Sequence, residues 1–229
     1  MQIVRVWDLP TRLFHWALAT CVVGLIVTGN VGGNWMSWHG RLGYAVLTLL
    51  FFRLAWGFVG GHWSRFGNFI YGPSTILNHL RGNGRPEHQV GHNPLGMLSV
   101  FALIAVLFLQ VGSGLFSDDE IAFTGPLAGL VSGDWVSQAT SYHKKLGKLI
   151  LIVLVTLHLG AIGYYRLIKK ENLVRSMILG DKEVPSPVAA SNDSLSHRLL
   201  ALALLVVCAL AVYFIVALGD GAPAVSSFD

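Results

Sequence analysis

The amino-acid sequence predicts an all-α integral membrane protein, a four-helix transmembrane bundle followed by a fifth, C-terminal transmembrane helix. Three observations carry that prediction. Of the 229 residues 53% are hydrophobic and only 12% are charged, with a mean hydropathy of +0.59, a composition foreign to water-soluble globular domains. The apolar residues fall into five runs, each close to the ~20 residues a helix needs to cross the hydrocarbon. The charges gather between the runs, so the formal charge of +4 and the pI near 9.2 read as topology signals, with nucleic acid excluded as a partner and membrane lipid the surrounding phase. Cys21 and Cys208 stand alone in apolar runs, which excludes a disulfide framework, a CxxC metal site and a CxxCH attachment of covalent haem.

The first span is expected at about residues 10–30. Trp7, Asp8, Pro10 and His15 interrupt the pattern of a cleaved leader, and Asp8 and Pro10 suit a helix start. The second span, about 37–59, opens near His39 and carries Arg53 fourteen residues later on nearly the same face. A polar stretch follows, residues 60–93, in which Pro73–Gly82 has the spacing of a short interfacial helix. The third span covers about 94–116 and holds no histidine, and an acidic, glycine-rich loop with Asp118, Asp119, Glu120 and Asp134 follows. The fourth span, about 142–166, carries His143 and His158. Residues 1–182 are thus expected to form one membrane domain, 183–198 a Pro/Ser/Ala-rich linker, 199–218 the fifth span and 219–229 a tail.

Lysines and arginines set the expected orientation. Arg5 and Arg12, then Arg65, Arg81 and Arg85, then Arg166, Lys169, Lys170, Arg175, Lys182 and Arg198 fall in three segments that belong to one side. The opposite connections are short or acidic apart from Lys144, Lys145 and Lys148. Positive-inside logic places the N-terminus in the cytoplasm and the C-terminus outside.

Ionisable residues within spans are costly and mark function. His143 and His158 lie fifteen residues apart, about 22 Å along a helix axis and within roughly 60° of one face. Spans two and four run the same way and each begins with a histidine, which pairs His39 with His143 near the outer side. His15, about two turns into span one, matches His158 near the inner side. Two histidines do not complete a tetrahedral zinc site. A haem iron already holds four porphyrin nitrogens and needs only two axial ligands, so two haems held by two histidine pairs are expected. Small residues flank all four positions, namely Gly40 and Gly43, Gly147, Gly160 and Ala161, and Ala17 and Ala19; they suit either a haem edge or close helix packing. Arg53 is expected to face a propionate of the inner haem, with snorkelling to the interface as the alternative. Arg12 is a second candidate there, and Arg41 or Lys144 are candidates at the outer haem.

The strings VWDLPTRLFHW, HGRLGYAVLTLLFFRLAWGFVG, GHNPLGMLSVFALIAVLFLQVGSGLF and HKKLGKLILIVLVTLHLGAIGYYRLIKKENLVRSMILGDK resemble the bacterial cytochrome b561 and Ni,Fe-hydrogenase b-type cytochrome family over about residues 4–182. The resemblance implies a four-helix haem-binding bundle in the bacterial inner membrane with two haem b groups on His15, His39, His143 and His158. It implies electron transfer between a quinone and a redox partner protein, a periplasmic cytochrome c or a hydrogenase-type enzyme. The alternative is a self-contained haem oxidoreductase acting on a small species such as superoxide, and a third reading is a haem-free membrane anchor. His92, before span three, is expected to cap that helix or to join Asn93 in a quinone pocket, whereas His62, His79, His88 and His197 are expected to be solvated. The fifth span lies outside the family core of many members and is a candidate partner or homo-oligomer surface.

Overall fold

The computed structural model describes residues 2–84, 88, 90–121, 123–185 and 187–220. Arg85 of the orientation set and the tail beyond residue 220 lie outside the described residues. A short strand, β1 (Gln2–Arg5), precedes α1 (Leu9–Val31) and α2 (Met36–Val59); α3 (Pro73–Leu80) and α4 (Pro94–Leu115) follow. Next come α5 (Gly133–Ser141), a π-helical turn (Tyr142–Gly147), α6 (Lys148–Leu167), α7 (Leu173–Leu179), β2 (Asp181–Val184) and α8 (Leu195–Asp220). Five of the described helices are long and apolar enough to cross a membrane: Leu9–Val31, Gly33–Val59, Pro94–Leu115, Gly133–Leu167 and Leu195–Gly219. The architecture is therefore the expected all-α membrane one.

Local chemistry sets the helix ends. Asp8 Oδ1 accepts from the Thr11 amide at 2.8 Å and so caps α1. Asn93 Oδ1 accepts from the Gly96 amide at 2.7 Å ahead of Pro94, which makes Asn93, not His92, the cap of α4. Asn172 caps α7, and Gly180 ends it in the left-handed conformation at φ 89°. The expected interfacial helix is present as α3, with proline in its first turn.

Two span boundaries differ from expectation. The fourth helical run begins at Gly133 rather than near 142, because GDWVSQATS, polar yet with Asp134 in its first turn, forms α5 and leads into the π turn. The fifth begins at Leu195 rather than 199, since Ser194 Oγ accepts from the His197 amide and starts the helix one turn earlier.

The chain forms two compact units, each assembled from three segments. The first contains the N-terminal segment through Trp16, Phe52–Ile104 and Leu154–Leu204. Here β1 and β2 add an antiparallel ribbon that the sequence does not announce, with Gln2 opposite Val184 and Arg5 opposite Asp181. Val4, Val6, Trp7, Val90 and Val184 bury one side of it, and Trp63, Met177 and Val188 pack against them. The connector 183–198 is fastened: Ser191 Oγ donates to Val6 O at 2.6 Å, and the Trp63 indole donates to Ala189 O at 2.7 Å. Asp193 gathers Arg5 (2.7 Å), Arg198 (3.0 Å) and the Leu9 amide (3.1 Å). Burial raises the Asp193 pKa, but the hydrogen bonds and charges of Arg198, Leu9 and Arg5 outweigh it and hold the carboxyl below its usual range.

Asp8 is the other hub of this unit. Its carboxylate is fully enclosed and accepts from the Thr11 amide at 2.8 Å, the Trp56 indole at 3.2 Å, the Gly61 amide at 3.1 Å and the Ser64 hydroxyl at 2.7 Å. It thereby ties the start of α1 to the end of α2.

The second unit contains Ala17–Phe51, Ala105–Val153 and the segment from Leu205. Its acidic loop folds back on itself, with Asp119 Oδ1 accepting from the Ile121 and Phe123 amides at 3.0 and 2.9 Å. The loop docks the Phe123 ring where a Cβ on Gly40 would come within 2.5 Å of it.

Candidate haem sites

In the second unit His39, from the first turn of α2, faces His143, from the π turn. Their ring centroids are 6.0 Å apart and the ring planes are nearly perpendicular at 84°. Single π turns inside α-helices recur at functional positions. In the first unit His15 on α1 faces His158 on α6 at 6.4 Å and 49°. Metal–imidazole bonds of about 2.0 Å, plus about 1.1 Å from each nitrogen to its ring centre, put the centroids of two opposed ligands about 6.2 Å apart. Both observed spacings lie close to that value. The structure thus brings together the two histidine pairs expected from sequence.

The rings of the second unit are oriented by their Nδ1 atoms. His39 Nδ1 lies 3.1 Å from Leu25 O, and His143 Nδ1 lies 2.8 Å from Gln110 O. A carbonyl has no proton, so each Nδ1 is the donor and each Nε2 is left with a free lone pair, the state a metal ligand requires. Both rings line a cavity of about 400 Å³, within the range of about 300–1,000 Å³ usual for small-molecule and cofactor sites. Gly40 and Gly43 also line it, and a Cβ on Gly43 would meet nothing within 4 Å. The lining fits a haem-type macrocycle, which His39 and His143 would hold. Among the described residues no cluster of three or more His, Cys, Asp or Glu side chains is placed to hold a metal ion.

The glycines that touch the histidines are not those beside them in sequence. A Cβ on Gly29 would lie 3.0 Å from His39 Cε1, and one on Gly114 would lie 3.0 Å from His143 Cε1. Gly147 packs instead against Gln110 and Tyr142, and nothing lies within 4 Å of a Cβ on Gly160. Sequence reasoning looked along the histidine's own helix and passed over Gly29 and Gly114; the signal that marks them is a Thr-Gly and a Ser-Gly step near the ends of two otherwise apolar runs.

In the first unit the His15 Nδ1 is buried and meets no partner among the described residues. Arg53 is 3% exposed. Its guanidinium carbon sits 4.6 Å above the Phe66 ring, and one terminal nitrogen is buried without a hydrogen-bond partner. A buried unpaired donor costs about 1–3 kcal/mol, more when charged, so both groups fit a site that an anionic, metal-bearing group completes. Snorkelling does not describe Arg53, whose head is enclosed. Arg12 Nη1 donates to Ile178 O at 2.6 Å and Nη2 lies 4.0 Å from Asp193, while its buried Nε meets no partner among the described residues. Lys144 and Lys148 line the cavity of the second unit, whereas Arg41 stacks on Trp38 with its guanidinium carbon 5.1 Å from the ring centre.

The remaining histidines are less solvated than expected. His197 lies within α8 with its ring 5.0 Å from that of Trp56, the His88 ring is tilted against Tyr71 at 4.7 Å, and His62 meets the edge of Trp63 at 4.9 Å. The His79 Nδ1 is buried as well. His92 is wedged between Trp7 at 4.7 Å and Phe69 at 4.6 Å. Loss of hydration first, then the charge of Arg53, pushes its pKa down to about 3. Asn93 donates to the Tyr165 hydroxyl as well as capping α4.

The sequence model of the prokaryotic cytochrome b561 family matches residues 6–180. The chain belongs to this family. All four histidines fall within the match and α8 falls outside it. The probable Ni/Fe-hydrogenase B-type cytochrome subunit of Bradyrhizobium diazoefficiens is 28% identical over 214 residues, covering 79% of this chain and 86% of that one. That of Azotobacter chroococcum is 26% identical over 217 residues, covering 77% and 87%. The probable Ni/Fe-hydrogenase 1 B-type cytochrome subunit of Escherichia coli K12 is 28% identical over 141 residues, covering 49% and 60%. No solved structure matches the chain. As a b561-family member the protein is a multi-pass membrane cytochrome of the b type.

Proposed function

We propose that the protein is a dihaem b-type cytochrome of the bacterial inner membrane. Its task is to carry electrons across the bilayer between a quinone pool and a redox partner on the outer side. The observation that carries this reading is the pair of opposed imidazoles in each unit, at centroid spacings of 6.0 and 6.4 Å. Residues 1–182 form the electron-transfer domain and α8 an added fifth span, with the N-terminus cytoplasmic and the C-terminus periplasmic. The hydrogenase-subunit names of the relatives favour a hydrogenase-type enzyme as partner over a periplasmic cytochrome c.

His39 and His143 hold one haem b, and His15 and His158 hold the other. Each haem supplies one-electron chemistry when bound. Leu25 and Gln110 fix the ring tautomers through their carbonyls. Arg53 meets a carboxylate with its unpartnered nitrogen in a water-poor setting, where a charge-assisted hydrogen bond is strong. Lys144 and Lys148, at the cavity of the second unit, balance negative charge there and attract an acidic partner surface.

A redox difference spectrum with haem quantitation per chain tests the reading. The expected result is two haems per wild-type chain and one in either His158→Ala or His143→Ala, with a different component lost in each. Two haems retained in both variants, or no b-type spectrum in the wild type, refutes the pairing.

A further inference from the structure

His39 and His143 are held by two other helices on one local plan. On α1 the His39 Nδ1 lies 3.1 Å from Leu25 O and 3.2 Å from the Thr28 hydroxyl. On α4 the His143 Nδ1 lies 2.8 Å from Gln110 O and 3.4 Å from the Ser113 hydroxyl. Next in each chain stands a glycine against the ring: a Cβ on Gly29 or on Gly114 would come 3.0 Å from Cε1 and 3.2 Å from Nδ1 of the respective histidine. The order is carbonyl, hydroxyl three residues on, glycine one further, in LIVTG and in QVGSG.

That spacing has a physical reason. Residues i, i+3 and i+4 share one helix face. A glycine at i+4 strips that face of a Cβ, so an imidazole can press onto the helix and reach the carbonyl at i. Each hydroxyl spends its proton on a carbonyl behind it, Thr28 on Gly24 O at 2.7 Å and Ser113 on Gln110 O at 2.9 Å. That leaves the hydroxyl oxygen, 3.2 Å from Nδ1 in one seat and 3.4 Å in the other, as a second acceptor beside the ring. His15, whose Nδ1 is buried without a partner, has no such arrangement.

We infer that LIVTG and QVGSG are paired imidazole seats: they fix the Nδ1–H tautomer of His39 and His143, aim both Nε2 atoms at the cavity, and make both rings stronger electron donors. This rests on the axial roles proposed above. A more basic axial imidazole favours the ferric iron, so the seats lower the reduction potential of the haem they serve. Thr28, Gly29, Ser113 and Gly114 act through the histidines and are positioning residues.

The test is a spectroelectrochemical titration of the full-length, haem-loaded protein, with low-spin EPR of the oxidised form. Gly29→Ala and Gly114→Ala push the ring off its carbonyl; each is expected to raise the midpoint potential of one haem component and shift its EPR signal, leaving the other component at its wild-type position. Thr28→Val keeps the shape and removes one acceptor, and it is expected to give a smaller rise in the same component, a readout that survives if the alanine variants fail to load haem. Gly112→Ala, whose added Cβ meets nothing within 4 Å, leaves both components unmoved. Unmoved potentials in every variant that retains two haems, Thr28→Val included, overturn the seats while the axial assignment stands. A wild-type protein without a b-type spectrum overturns both.

Discussion

Replacing Asp8 by alanine removes a carboxylate with no exposed surface that serves four donors. Thr11 N and the Trp56 indole share Oδ1, and Gly61 N and the Ser64 hydroxyl share Oδ2. Each stranded donor costs about 1–3 kcal/mol. The four converge on one point, where a single water makes ~3 hydrogen bonds, so the expected loss is about 3–5 kcal/mol rather than the sum. At about 2–4 °C per kcal/mol for a chain of this size, the unfolding midpoint falls by about 6–20 °C. Asp8→Asn keeps an acceptor at Oδ1 but places an NH₂ against Gly61 N and Ser64, so its loss is intermediate. Thermal unfolding of the purified protein in detergent, followed by tryptophan fluorescence, measures both. A fall of less than about 2 °C in Asp8→Ala, or a larger fall in Asp8→Asn, refutes the hub.

Other outcomes follow from the same geometry. Arg53→Met removes the buried cation proposed to meet a haem carboxylate in the first unit and is expected to lower the midpoint of one haem component; losing about 1 kcal/mol of interaction corresponds to about 40 mV for one electron, and unmoved potentials by optical titration refute the carboxylate-binding role. His92 is held neutral, with its pKa pushed down to about 3 against about 6.5 unfolded. The unfolded chain therefore binds the extra proton in that interval, and stability, complete above about pH 6.5, declines toward pH 3 by at most about 1.4 kcal/mol per pH unit. His92→Phe flattens this acid limb of the unfolding midpoint against pH, and an unchanged limb contradicts the assignment. Haem counts in His158→Ala and His143→Ala distinguish the two pairs as described above.

The sequence made the spans legible because a bilayer imposes both their length and their composition: α1, α2 and α4 start and end within a residue of the expected limits. The histidines stood out for the same reason, as ionisable groups in apolar runs. What could not be read depends on contacts between distant residues. The ribbon needs only four residues from each of two segments nearly the whole chain apart, too few for a strand pattern to show. The partners of Arg12, Ile178 and Asp193, come from after the fourth span and cannot be foreseen from its position. Gly29 and Gly114 were passed over because the space a ring needs is made by the helix opposite it. The π turn rests on backbone bonds for which YHKKLG offers no compositional sign.

The ribbon of β1 and β2 also constrains the number of membrane crossings. Two strands can exchange backbone hydrogen bonds only if both lie on the same side of the bilayer, so the chain between Arg5 and Asp181 must cross it an even number of times. The four candidate spans in that interval satisfy this parity, and a segment with one span deleted or one inserted does not. The pairing is therefore compatible with four spans in alternating directions and not with three or five.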